Sequence, residues 1–366
     1  MGGKAFAEEL GTADVFPRIP ARVYLPLKAR LAAQLKTLYA YVDTPAKTPE
    51  KGDHGDIDFV VCNPLTASGT DSTDSALSKA LSHVKDALGA QYCKIVDGPR
   101  MSNFAVPLDA ELEGKFCQVD VHVCKDKAEW KRTLFFHSYG DMGMILGLLS
   151  RARGFTLGTK GLRTHYAKPN ESQISSFPLS DSFDEILPFL GLSMETWARG
   201  FATRAEVLAW LKTSRFFVPR RLITAFPTQE KKAARNKREM YQEFLELSHA
   251  LAAADVPESG LSVERAKEDT RQKALVYFKK KDAYDAIVTA NVRERIFRDK
   301  FNGTKMMEWT GLHGKVIRVI MHGVRERLSE AEITDMDEKA LRKLVLEIRP
   351  EAEIKYAATK DLQSEN

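Results

Sequence analysis

The heptapeptide GDIDFVV, residues 55 to 61, restricts this chain more than any other stretch, because its side chains alternate between two chemistries. A β-strand turns successive side chains to opposite faces, so Ile57, Phe59 and Val61 face one way while Asp56 and Asp58 face the other. A second segment, CQVDVHVC (117 to 124), repeats the pattern: Val119, Val121 and Val123 point to a core, and Gln118, Asp120, His122 and Cys124 share the other side. Carboxylates within apolar strands are costly unless something neutralises them. Three of them on neighbouring strands ask for cations.

Hard divalent ions such as Mg²⁺ take oxygen ligands, and two such ions can clamp the attacking and leaving oxygens of an in-line phosphoryl displacement. Asp56, Asp58 and Asp120 are therefore the expected metal ligands and catalytic carboxylates, with two Mg²⁺ ions, or Mn²⁺ in their place. The bland alternative is that Asp56 and Asp58 end an edge strand in water and that Asp120 is an ordinary exposed strand residue.

The surrounding pattern predicts an α+β fold. Leu27, Leu31, Leu35 and Leu38 recur at helical spacing, giving a helix over 22–41, followed by a loop with Pro45, Pro49 and Gly52. A strand over 57–61, a polar loop over 63–73, a helix over 74–88 ending at Gly89 and strands over 91–96, 101–108 and 115–124 follow. This is a βαβ start followed by antiparallel strands: a mixed sheet with flanking helices. Helices dominate afterwards, several opening with Ser or Thr three residues ahead of Glu: Ser182 with Glu185, Thr203 with Glu206, Ser329 with Glu332. Residues 228–254 read as a basic helix, KKAARNKRE, with one packed face from Met240, Tyr241, Phe244, Leu245 and Leu251.

Composition sets the class. At 366 residues and 43% hydrophobic content the chain can bury ordinary cores, and two domains are expected. The net charge of +5 is uneven, since residues 211–300 hold 20 Lys or Arg against 13 Asp or Glu. That fits a polyanionic partner, or a solvated helical face. The four cysteines, Cys62, Cys93, Cys117 and Cys124, lack zinc-like spacing, which points to a reducing intracellular compartment, cytoplasmic or nuclear. MGGKAF has no signal-peptide core, Phe6 breaks a myristoylation pattern, and the apolar run from Met142 to Leu149 is too short to span a bilayer, so no membrane association is expected.

Taken in order, these pieces resemble the family X DNA polymerases, the polymerase beta group of the nucleotidyltransferase superfamily. GDIDFVV resembles the family's metal motif and QVDVHV the strand that supplies its third aspartate. FFHSYGD (135 to 141) is similar to the segment that contacts the incoming sugar, ARGFTLGTKGLR (152 to 163) to a small hairpin, and DSFDEILPFLGL (181 to 192) to a closing helix. The resemblance implies that Gly55 offers backbone to the triphosphate and that Tyr139 and Gly140 bind the nucleotide near its sugar. FNGTKMMEWTGLHGKVIRVIMHGVRERL (301 to 328) bears a fainter likeness to a helical segment of CCA-adding enzymes, or is a plain helix-turn-helix with Gly311 and Gly314 in the turn.

The family's Gly-Ser phosphate motif is missing: TPAKTPEKGDHG stands there instead, and Lys47, Lys51 and His54 are expected in a solvated loop. His122 is expected as a neighbour that supports Asp120, and Arg100 and Arg163 either meet a triphosphate or form surface pairs. Cys62 and Cys124 are expected to pack. So are Trp197, Trp210 and Phe216, although their interleaving with Arg199, Arg204 and Arg215 also suits base stacking.

The expected organisation is a palm and thumb-like domain over 1–192 and a helical basic domain over 193–366 that binds nucleic acid. The expected activity is transfer of a nucleotide from a nucleoside triphosphate to a hydroxyl, without a template, at an RNA 3′ end. A minimal DNA polymerase, nucleotidylation of a protein or small molecule, and an inactive palm serving as a nucleic-acid-binding scaffold are the alternatives.

Overall fold

The computed structural model describes residues 4–6, 10, 13–65, 74–97, 100–108, 112–168, 174–225, 238–254 and 262–364. The chain forms two compact units, one of residues 1–164 and 178–278, the other of 165–177 and 279–366.

In the first unit a short strand β1 (Ile19–Pro20) leads into helix α1 (Ala21–Leu35), which buries Tyr24, Leu27, Leu31 and Leu35 along one stripe. The helix expected to reach residue 41 stops at Leu35, and Tyr39–Asp43 form strand β2. Leu38 continues the helical spacing, but pairing of Tyr39 to Asp43 along a neighbouring strand supplies ladder hydrogen bonds and suits the aromatic and β-branched residues there. Strands β3 (Asp53–His54), β4 (Asp56–Pro64), β5 (Tyr92–Asp97), β6 (Met101–Pro107) and β7 (Phe116–Cys124) follow, with α2 (Asp74–Leu88) between β4 and β5.

β1 and β3 pair with each other, and the remaining strands make one mixed sheet in the order β2-β4-β7-β6-β5. β4 and β7 run parallel; the other neighbours are antiparallel. One face buries Ile57, Phe59, Val61, Val119 and Val121 together with Leu27, Leu31 and Leu35 of α1 and Val84 and Leu88 of α2. On the opposite face Val60, Cys62 and Cys124 pack under Trp130 and Leu134 of α3 (Lys127–His137). That helix covers only the C-terminal half of β4 and leaves the half carrying Asp56 and Asp58 open.

Helix α4 (Met142–Ala152) is buried nearly all round and packs on the β8 strand (Thr156–Gly158) of the hairpin it forms with β9 (Gly161–Ala167). Strand β10 (Ile174–Ser180) borders β9. Helices α5 (Phe183–Leu190), α6 (Met194–Arg199), α7 (Arg204–Lys212), α8 (Pro219–Ala225), α9 (Glu239–Ala254) and α10 (Val263–Tyr277) complete the unit. The division expected between residues 192 and 193 falls inside this unit. Its cause is aromatic packing: Phe189 of α5 meets Phe216, Tyr277 and Phe278, and Phe216 stacks on Phe155 at 5.8 Å. Trp210 and Phe216 are buried, as expected.

The second unit is helical around α11 (Lys281–Lys300), α12 (Gly303–Thr310), α13 (Val316–Arg327), α14 (Glu330–Asp335) and α15 (Glu338–Ser364). Met306, Ile320, Val324, Ile333, Leu341 and Val345 form its core. Gly311 and Gly314, both at positive φ, sit between α12 and α13. The capping signals hold at Thr203, which accepts from the Glu206 backbone, and at Ser329, which forms a full capping box with Glu332; Ser182 precedes α5 without a side-chain bond. Of the basic run KKAARNKRE, residues 231–237 lie outside the described residues, and Arg238 with Glu239 leads into α9. All four cysteines are free thiols, and among the described residues no helix is long and apolar enough to cross a membrane.

Candidate active site

The parallel register sets Asp56 opposite Gln118, Asp58 opposite Asp120 and Val60 opposite His122. On the far side of β7, Asn103 of β6 stands opposite Asp120. Three strands therefore lay Asp58, Asp120 and Asn103 in one row, with Asp56 and Gln118 beside it. The expected pairing of the two acidic strands is present.

Asp120 is held from two sides. Gln118 Nε2 donates to its Oδ1 at 2.8 Å, and Asn103 Nδ2 donates to the same oxygen in a short hydrogen bond. Both amide side chains are buried. Among the described residues Oδ2 of Asp120 accepts no hydrogen bond. Desolvation raises the Asp120 pKa, the two amide bonds lower it, and Asp56 raises it. Asp58 is pushed up to about 7, first by desolvation and then by the charges of Asp56 and Asp120. Its side chain nevertheless meets solvent in the open part of the site, so water damps the repulsion. Among the described residues no Lys or Arg forms an ion pair with Asp56, Asp58 or Asp120.

Asp56 and Asp58 line a cleft of about 380 Å³ with Tyr24, the segment Thr44–Thr48, Lys51, His54, His137, Gly140, Asp141 and Arg238. The 44–51 loop is stapled to the turn after α3. Ala46 N donates to Ser138 Oγ at 2.9 Å, Tyr139 N donates to Ala46 O at 2.7 Å, and Gly140 lies so close to Thr48 that a Cβ would stand 2.5 Å from its Oγ1. Glu50 takes a left-handed φ of 62° and accepts from Arg204 N at 3.0 Å. A non-glycine residue at positive φ costs about 1–2 kcal/mol and persists only where neighbours hold it.

Lys47 and Lys51 are exposed on this loop, as expected, but His54 is not. It is 2% exposed, stacks on Tyr24 with ring centroids 3.6 Å apart, and its Nε2 is enclosed without a hydrogen-bond partner. Burial, with Lys51, Lys47 and Arg18 adding to it, lowers the His54 pKa to about 4. Burial and the nearby Asp58 raise Tyr24 to about 12. The packing that removes His54 from water is the Tyr24 face of α1.

The other expected site residues separate. Gly55 is buried at the bend between β3 and β4. Gly140, at φ 69°, lines the cleft, whereas Tyr139, at φ 56°, turns its ring into an aromatic cluster. That ring meets Phe201 at 4.9 Å and Trp197 at 6.0 Å, and its hydroxyl donates to Trp197 O at 3.3 Å. His122 is partly buried and its pKa is lowered, chiefly by burial and then by Arg100. Arg100 pairs with Glu129 at 2.5 Å.

Sequence reading missed Tyr24, Asn103, Thr44, Thr48, Asp141 and Arg238. Asn103 alone left a local signal, a polar amide inside the apolar strand MSNFAVPL. Arg238 Nη1 donates to Asp141 Oδ1 at 2.5 Å across 97 residues of sequence, a juxtaposition no local pattern announces.

Among the described residues no three His, Cys, Asp or Glu side chains converge closely enough to hold one ion by themselves. Mg²⁺ is usually bound by one or two carboxylates together with waters and substrate oxygens rather than by an all-protein cage. Asp56 and Asp58, which line the cleft and form no ion pair among the described residues, fit such a partial site of one or two carboxylates. A scan against protein-family models finds no match, and a search of curated proteins finds no significant relative.

Proposed function

We propose that this chain is a metal-dependent nucleotidyltransferase that moves a nucleoside monophosphate from a nucleoside triphosphate to a hydroxyl, breaking the α–β phosphoanhydride bond and releasing pyrophosphate, with an RNA 3′ end as acceptor. One observation carries the reading: Asp58 and Asp120 stand in register on adjacent strands, Asp56 lies beside them, and among the described residues no Lys or Arg forms an ion pair with any of the three, Lys51 acting on Asp58 only at longer range. Like carboxylates placed so closely cost stability unless a ligand neutralises them. When bound at Asp56 and Asp58, Mg²⁺ or Mn²⁺ supplies Lewis-acid polarisation of the α-phosphate and eases ionisation of the attacking hydroxyl.

The chain's own part is orientation. Asn103 and Gln118 both donate to Oδ1 of Asp120 and so hold that carboxylate in place beside Asp58. The turn at Gly140 and the stapled 44–51 loop shape the cleft wall. The RNA acceptor rests on the basic balance of residues 211–300. A second reading, an inactive palm used as a nucleic-acid scaffold, draws on the absence of a preassembled three-ligand metal group among the described residues.

The test is incorporation of labelled NTPs and dNTPs onto single-stranded RNA and DNA with Mg²⁺ or Mn²⁺. Wild type should extend RNA, and Asp58→Asn or Asp120→Asn should lose about a hundredfold or more of that activity. Absence of extension under every condition, with RNA binding unchanged in both variants, would establish the scaffold reading.

A further inference from the structure

We infer that the cleft grips a polyphosphate through two parts of the chain remote in sequence: the Thr44–Lys51 loop, and Arg238 at the start of α9. This rests on the transferase reading for its biological substrate, a nucleoside triphosphate, but not for the grip itself.

The cleft is electrostatically divided. Asp56 and Asp58 lie on one side, while Lys47, Lys51 and Arg238 bring three cations to the same cavity. A ligand that satisfies both sides must present anionic oxygens to the cations and share a divalent ion with the carboxylates. Polyphosphates do both.

The loop has the chemistry of an anion cradle. Thr44 Oγ1 accepts from Lys28 Nζ at 3.2 Å, so the hydroxyl's own hydrogen remains to donate. Thr48 is fixed by the approach of Gly140, Pro49 stiffens the segment between the anchors at Ala46 and Glu50, and Pro45 stiffens the residue before it. Behind the loop, His54 Nε2 is enclosed and unpartnered. Its ring, stacked on Tyr24, gives the loop a rigid backing. Stapling the loop lowers the ordering cost of binding, which is what a phosphate site lacking a glycine-rich turn needs.

Arg238 is the movable member. Its side chain is half-exposed and its carboxylate partner, Asp141, is buried at the N-terminal end of α4 without capping that helix through its side chain. Asp141 holds the guanidinium in the cleft of the ligand-free protein. A triphosphate then competes with Asp141 for it, since Arg binds phosphate oxygens bidentately.

The competition gives the test. Inorganic tripolyphosphate binding is measured by calorimetry on the full chain, with and without Mg²⁺. Lys47→Ala and Lys51→Ala should each weaken binding about two- to fivefold, and Arg238→Ala about tenfold. Asp141→Asn should tighten it several-fold in the wild-type background and have no effect in Arg238→Ala. A structural role for Arg238 would not produce that pattern. Unchanged binding in the Lys47→Ala/Lys51→Ala/Arg238→Ala variant overturns the grip, as does failure of wild type to bind tripolyphosphate. Transfer activity separates the two ideas. Transfer with an unaltered NTP KM in the triple variant sinks the grip and leaves the transferase, whereas the predicted binding pattern without transfer to any acceptor keeps the grip and sinks the transferase.

Discussion

Asp58 of β4 and Asp120 of β7 occupy the same register position on adjacent parallel strands, and neither forms an ion pair among the described residues. In the metal-free protein this arrangement is paid for in stability. Asp58→Asn should raise metal-free stability by about 1 kcal/mol, as substitutions that relieve strained functional sites commonly do. Mg²⁺ at a hundred times its Kd should stabilise wild type by about 2.7 kcal/mol, and this gain should vanish in Asp58→Asn. Denaturant melts with and without Mg²⁺ read both effects. Identical metal-induced shifts in the two proteins would exclude Asp58 from the metal site.

The same carboxylate sets a pH dependence. Its folded pKa of about 7 lies above the unfolded value of 3.8, so between those values the native state binds more protons than the unfolded state. Wild-type stability therefore falls as pH rises through this window. Near pH 4, protonated Asp58 resembles Asn, and the advantage of Asp58→Asn should be small; it should be complete above pH 7. Metal-free melts of both proteins across this range would show a widening gap, and a constant gap would contradict the raised pKa.

Gly140 is required twice, by its φ of 69° and by Thr48 Oγ1 at 2.5 Å from an added Cβ. Gly140→Ala should cost about 3 kcal/mol, combining left-handed strain with overpacking. Thr48→Ala in that background should recover about 1 kcal/mol, because it removes the clash and leaves the backbone strain. Additive losses in a double-mutant cycle would mean that the loop and the turn are not stapled at this contact.

The Tyr139 ring packs against Phe201 and Trp197, and its hydroxyl bonds the Trp197 carbonyl. Tyr139→Phe loses one hydrogen bond of 3.3 Å and should cost about 1 kcal/mol or less. Tyr139→Ala also loses the packing against Phe201 and Trp197 and should cost about 3 kcal/mol. The ratio of NTP to dNTP use should be unchanged in Tyr139→Phe. A shift in that ratio would place the hydroxyl at the sugar.

Strand period alone determined that Asp56 and Asp58 share one face of β4 and that Asp120 faces away from the core on β7, because alternation is a local property of extended backbone. The α+β class, helix α2 ending at Gly89 and the caps at Thr203 and Ser329 are local in the same sense. What joined these pieces was decided in three dimensions. The register that sets Asp58 against Asp120, the amides of Asn103 and Gln118 on one carboxylate oxygen, the strand at Tyr39–Asp43 and the Arg238–Asp141 pair all come from pairing and packing between distant segments. His54 shows the limit most sharply. Among lysines, prolines and glycines it reads as a loop residue, yet the ring of Tyr24 removes it from water. Burial depends on which element packs over a residue, and that information is not carried by its neighbours in sequence.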